Sequence, residues 1–96
     1  MASVVFSPAA LSDLWEIEGY IAHDDSVRAS GYIDELVDAC NGLADFPRRF
    51  RKTPRYGADA HVRVHGNYVI VYDVIGDEVR INAVVHRARD MDALLG

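Results

Sequence analysis

Tyr68-Val69-Ile70-Val71-Tyr72-Asp73-Val74 decides the reading of this chain. Valine, isoleucine and tyrosine dominate it, and no glycine or proline interrupts it, a composition that suits a pleated strand. Apolar residues fall on both parities, so the stretch reads as a central strand covered on both faces. Outward from it, Ala60–Val64 precedes across His65-Gly66-Asn67, and Glu78–His86 follows across Gly76-Asp77. Both flanking runs keep a period of two, and Gly-Asp between apolar runs predicts a hairpin turn. Alternation in Glu78–His86 places Val79, Ile81, Ala83 and Val85 on one face, with Arg80, Asn82, Val84 and His86 on the other.

Upstream the period changes. Residues 48–59 show no periodicity, contain Pro54 and Gly57, and read as a basic loop. Before them Ala29, Ile33, Leu36, Cys40 and Leu43 recur every three or four residues, with Tyr32, Val37 and Ala44 widening the stripe. Asp24, Asp25 and Ser26 are cap-type residues that start this helix, and Phe46-Pro47 is expected to end it. An earlier helix, reaching about Ala22, follows from Ala10, Leu14, Ile17 and Ile21. Ser7 would cap it, and Pro8 suits its first turn. The short connection predicts an antiparallel helical hairpin. Val4-Val5-Phe6 reads as a brief first strand, and Met91–Leu95 as a final helical turn. The expected architecture is α+β: β-α-α-β-β-β, with the hairpin packed on a mostly antiparallel sheet.

With 96 residues, half of them apolar, the chain is expected to fold as a single domain spanning residues 1–96. Met1 to Phe6 lacks the pattern of a signal peptide, and no segment approaches the roughly 20 apolar residues of a membrane span. A cytoplasmic location is the expectation. The lone Cys40 excludes an intrachain disulfide and, on an apolar helix face, reads as a buried thiol. The net charge of −5 conceals a split. Residues 1–45 carry nine acidic side chains against Arg28, giving −8, and residues 46–96 carry nine basic against six acidic, giving +3. Five of the ten basic residues, Arg48, Arg49, Arg51, Lys52 and Arg55, lie in one stretch that could face an anionic partner or only water.

Four segments resemble a known family. Ser7-Pro8-Ala9-Ala10 with Asp13-Leu14 and the Ile17 to Ile21 repeat is similar to the opening helix of ParE-like proteins of the RelE/ParE superfamily. Leu43-Ala44-Asp45-Phe46-Pro47 resembles the end of that family's second helix, Asn67–Tyr72 its central strand, and Val85–Asp90 its closing segment. The resemblance implies a toxin neutralised by a cognate ParD-like antitoxin, with no cofactor. It leaves two mechanisms, cleavage of ribosome-bound messenger RNA in RelE-like members and inhibition of DNA gyrase in ParE-like ones.

A third reading is an interaction module without toxicity, and the residues weigh against the nuclease. Cutting RNA needs a base, an acid and cations that steady the phosphate. RelE-like nucleases place an arginine directly after the aromatic that opens the central strand, and a tyrosine or histidine near the C-terminus. Here that position is Val69, and no tyrosine follows Tyr72. Loss of a stabilising donor of this kind costs a factor of roughly 10²–10³ in rate. A cluster of Arg63, Arg80 and His86, aided by Lys52 or Arg51, is the alternative. Parity puts Arg80 and His86 on one face, but six residues span roughly 20 Å of strand. No catalytic residue is therefore expected. His61 and His65 lack the cysteine or carboxylate neighbours of a metal set, so no metal is expected either.

An inhibitor needs contact surfaces instead. Arg87, Arg89 and Met91 are the expected contacts with gyrase, with Arg48, Arg49, Arg51 and Lys52 behind them. Direct DNA binding by the chain alone is not expected, given its acidic balance. The apolar stripes of both helices exceed the roughly 100° that one core needs. Leu11, Leu14, Trp15, Tyr20, Tyr32 and Leu36, with Arg55 and Arg63, are therefore the expected antitoxin contacts. Trp15 is otherwise expected to pack at the helix–sheet junction.

Overall fold

The computed structural model describes residues 2–53, 56, 57 and 59–88. Strand β1 spans Ser3–Phe6, helix α1 Pro8–Ala22 and helix α2 Ser26–Asn41. Strands β2 (His61–His65), β3 (Tyr68–Ile75) and β4 (Glu78–His86) complete the order β-α-α-β-β-β. The sheet runs β1-β4-β3-β2, with β1 parallel to β4 and the other pairs antiparallel. This is the expected α+β arrangement, with β4 lying between β1 and β3.

Local chemistry sets the boundaries. Ser7 caps α1, its hydroxyl accepting from the Ala10 amide at 3.0 Å, and Pro8 fills the first position, where no partner for an amide is needed. Asp25 caps α2 by accepting from the Arg28 amide at 3.0 Å. At its other end α2 stops at Asn41, short of the expected Phe46-Pro47, and a 3₁₀ turn over Gly42–Ala44 carries the chain out. Both hairpins turn on glycines with φ of +58°, Gly66 and Gly76. Since no other described residue type has positive φ, each turn has the glycine-first pattern that matches strand twist.

The helices cover one face of the sheet. Ala10, Leu14 and Ile17 of α1 and Leu36, Ala39 and Cys40 of α2 pack against Tyr68, Ile70, Tyr72, Val79, Ile81 and Val84. On the opposite face Val69 and Val71 are buried with Ala60, packed by Tyr56, Val62, Ala83 and Val85. The central strand is thus covered on both sides, as its double-parity pattern predicts. Trp15 departs from expectation: it is 80% exposed on the flank of α1 and does not fill the helix–sheet junction. The final helical turn expected over Met91–Leu95 lies outside the described residues.

Candidate functional site

The most consequential departure from simple alternation is in β4. Val71 pairs with Ala83, but its neighbour Tyr72 pairs with Ile81, so Asn82 is an extra residue. Such a bulge shifts side-chain parity by one. Val79 and Ile81 face the helices, and beyond Asn82 the helix-facing residue is Val84, while Ala83 and Val85 turn to the other face. This corrects the strict alternation expected for β4. His86, paired with Tyr68, follows Val84 onto the helix side, whereas Arg80, paired with Asp73, lies on the far side. The two are not on one face.

A bulge frees backbone groups that must find partners elsewhere. Here α1 supplies them. The Ser7 hydroxyl donates to the Asn82 carbonyl at 3.1 Å, and the Asp13 carboxylate accepts from the Val84 amide at 2.9 Å. The distal end of β4 is thereby fastened beside α1. His86 stands edge-on to the Tyr68 ring, centroids 5.2 Å apart, and its Nδ1 accepts from the Ala88 amide at 3.1 Å. That bond assigns the proton of the neutral ring to Nε2. Between α1 and this strand end lies a groove of about 310 Å³, lined by Asp13, Glu16, Ile17, Tyr20, Tyr68 and His86 among others.

The basic stretch is stitched to the other sheet edge. The Val62 amide donates to the Arg51 carbonyl at 3.2 Å and the Thr53 amide to the Ala60 carbonyl at 2.7 Å, so residues 51–53 run antiparallel beside β2. His61, buried and stacked 5.2 Å from Tyr72, has its Nδ1 2.8 Å from the Phe50 carbonyl, and the Tyr72 hydroxyl donates to the Pro47 carbonyl at 2.9 Å. Burial pushes the Tyr72 hydroxyl above its ordinary pKa. Arg48, Arg49, Arg51 and Lys52 remain exposed, with Lys52 3.5 Å from Asp59. Beside them Phe46, 70% exposed, borders an open surface with Pro47, Arg48 and Arg49.

Arg63 does different work. Its guanidinium donates to the Ala39 carbonyl at 2.7 Å, one of the carbonyls that α2 leaves open at its end, and lies over the Phe50 ring at 5.2 Å. Cys40 is fully buried nearby. Burial pushes its thiol up to about 12, against the opposing pull of Arg63.

The other expected contacts divide. Leu11, Trp15 and Tyr20 are exposed, and Tyr32 is half-buried between His65 and Tyr68. Leu14 and Leu36 lie in the core and present no surface to a partner. Leu11 and Trp15 sit on one flank of α1, Asp13 and Tyr20 on the opposite flank beside the groove. Arg87 is exposed at the end of β4, its amide donating to the Asn67 carbonyl at 2.7 Å. Arg55, Arg89 and Met91 lie outside the described residues. Among the described residues no three His, Cys, Asp or Glu side chains gather as a metal site, and no helix is long and apolar enough to cross a membrane.

Asp13 and the groove escaped the sequence reading. One signal existed: Ala83-Val84-Val85 is apolar on both parities directly after a polar Asn82, a pattern that a regular one-faced strand does not produce.

A family model described as the ParE toxin of type II toxin–antitoxin system, parDE, matches residues 4–91. Among solved structures, a chain of the chromosomal ParDE system from P. aeruginosa superimposes with a TM-score of 0.75 at 17% identity, covering 90% of this chain and 96% of that one. A chain of the RelBE2 toxin–antitoxin complex from Mycobacterium tuberculosis superimposes with a TM-score of 0.68 at 22% identity, covering 90% and 98%. No curated protein matches in sequence.

Proposed function

The chain belongs to the ParE toxin family of type II toxin–antitoxin systems, and we propose that it arrests growth in the cytoplasm by binding DNA gyrase until a ParD-like antitoxin covers it. In this reading residues 1–96 are one toxin domain that acts by contact and performs no bond cleavage. One observation carries the choice over the ribonuclease: the candidate proton carrier and the candidate cations do not converge. His86 is on the helix side of the sheet and Arg80 on the far side, paired with Glu78. Arg63 is committed to the Ala39 carbonyl. Val69, at the position where a RelE-like nuclease carries arginine, is buried among Ala60 and Val71. A phosphate passing through a pentavalent state needs base and cation on the same few atoms.

The gyrase contacts are assigned to Arg87, Arg89 and Met91, backed by Arg48, Arg49, Arg51 and Lys52. The antitoxin contacts are assigned to the exposed residues Leu11 and Trp15 on one flank of α1, to Tyr20 on its other flank, and to Tyr32 of α2 beside Tyr68. Exposed apolar groups on one helix are the usual mark of a partner site.

Inducing the chain alone in cells tests the proposal. Growth arrest with DNA damage and intact messages is expected, relieved when an antitoxin encoded beside the toxin is induced. Translation arrest with cleaved ribosome-bound messages, abolished by His86→Ala, supports the nuclease and overturns the gyrase assignment.

A further inference from the structure

The groove between α1 and the end of β4 takes no part in the contacts assigned to gyrase. Its walls are in place before any partner arrives, since Asp13 holds the Val84 amide and His86 is braced against Tyr68 and Ala88. Ile17 and Val84 give it apolar lining, and among the described residues its charged lining groups are Asp13 and Glu16, with no lysine or arginine. One oxygen of Asp13 is committed to the backbone. Among the described residues Glu16 has no ion-pair partner. Tyr20 lines the groove while 75% exposed.

Apolar lining, aromatic rings and an unpaired carboxylate favour one kind of side chain. Lysine and arginine lay a methylene stem along apolar surface and deliver a charge at its end. Aromatic faces attract that charge further. An acidic group would be repelled by Asp13 and Glu16, and a purely apolar one would strip water from Glu16 without replacing it. The charge of −8 on residues 1–45 points the same way. Tyr20, itself one of the residues assigned to the antitoxin, lines the groove.

We propose that the groove formed by Asp13, Glu16, Tyr20, Tyr68 and His86 is the socket for a lysine or arginine side chain of the antitoxin. The inference rests on the antitoxin reading above and adds to it the chemistry of an anchoring residue. The side chain lies along Ile17 and Val84 and ends at Glu16.

Titration of the isotope-labelled full chain with N-acetyl-arginine methylamide, followed by amide resonances, tests the socket without any antitoxin. Saturable shifts are expected at Ile17, Val84 and Ala88, with the lysine analogue similar and the uncharged norleucine analogue clearly weaker. Glu16→Gln is expected to weaken arginine binding roughly two- to fivefold, the range for an exposed ion pair. Glu35→Gln, an equal loss of charge on exposed α2, should leave it unchanged. Equal binding of norleucine, equal weakening by Glu35→Gln, or absence of saturation each overturn the proposal. So does binding that appears only after residues 89–96 are removed, because the occupant is then the chain's own C-terminal segment. A chain that binds the probe yet causes no growth arrest contradicts the toxin reading and leaves the socket standing; the reverse result does the opposite.

Discussion

Asp13 accepts from the Val84 amide across 71 positions of sequence, joining a helix to the part of β4 that lies beyond its pairing with β1. Replacing it with alanine strands a part-buried amide, a loss of about 1–3 kcal/mol. Asp13→Asn, whose side-chain carbonyl still accepts, should lose less. Urea unfolding midpoints read the difference, and equal destabilisation by the two variants would show that the bond contributes little. Cys40 permits a second prediction. Burial raises its thiol from 9.0 to about 12, so the folded state favours the neutral form. Its contribution to stability is intact below 9.0 and is lost as pH climbs from there towards 12. At pH 8 a disulfide reagent should label Cys40 only after unfolding, and labelling at the rate of a free thiol in native buffer contradicts this placement.

At the scale of elements, the parts legible in the sequence are those written locally. Helix caps at Ser7 and Asp25, the apolar stripe of α2 and the double-parity run of β3 each depend on neighbours within a few residues. What escaped is non-local. The segment 51–53 looks structureless because its partner is β2, ten residues away, and the bulge at Asn82 is stabilised by α1. Trp15 stands exposed where packing is expected, because helical periodicity shows which residues are apolar, not which flank the sheet covers. The two hairpin glycines offer a test of local geometry. Gly66 and Gly76 share a φ of +58°, which costs an L-residue about 1–2 kcal/mol. A Cβ on Gly66 would also stand 2.7 Å from the Tyr32 hydroxyl, whereas one on Gly76 meets nothing within 4 Å. Gly66→Ala should therefore lower the melting temperature more than Gly76→Ala. Equal shifts would mean that Tyr32 yields without cost.

For the whole molecule, the charge split in the sequence becomes a spatial one. The acidic helices cover one face of the sheet, and the basic stretch runs beyond β2 at its edge. Two partners of different character can thus be served by different surfaces. Hydrogen exchange with and without the antitoxin should show protection within residues 10–45. Protection confined to the basic loop and the C-terminal segment would place the antitoxin elsewhere. Fold and family could be read from the sequence because four segments stand in order along it. The target could not, since a contact surface, unlike a catalytic set, imposes no spacing on its residues. The most direct test of the central claim is a supercoiling assay of purified DNA gyrase with the purified chain. Inhibition that saturates near stoichiometric toxin, weakened by charge reversal at Arg87 and Arg89, is predicted. Undiminished supercoiling from a preparation that cleaves ribosome-bound message would contradict it.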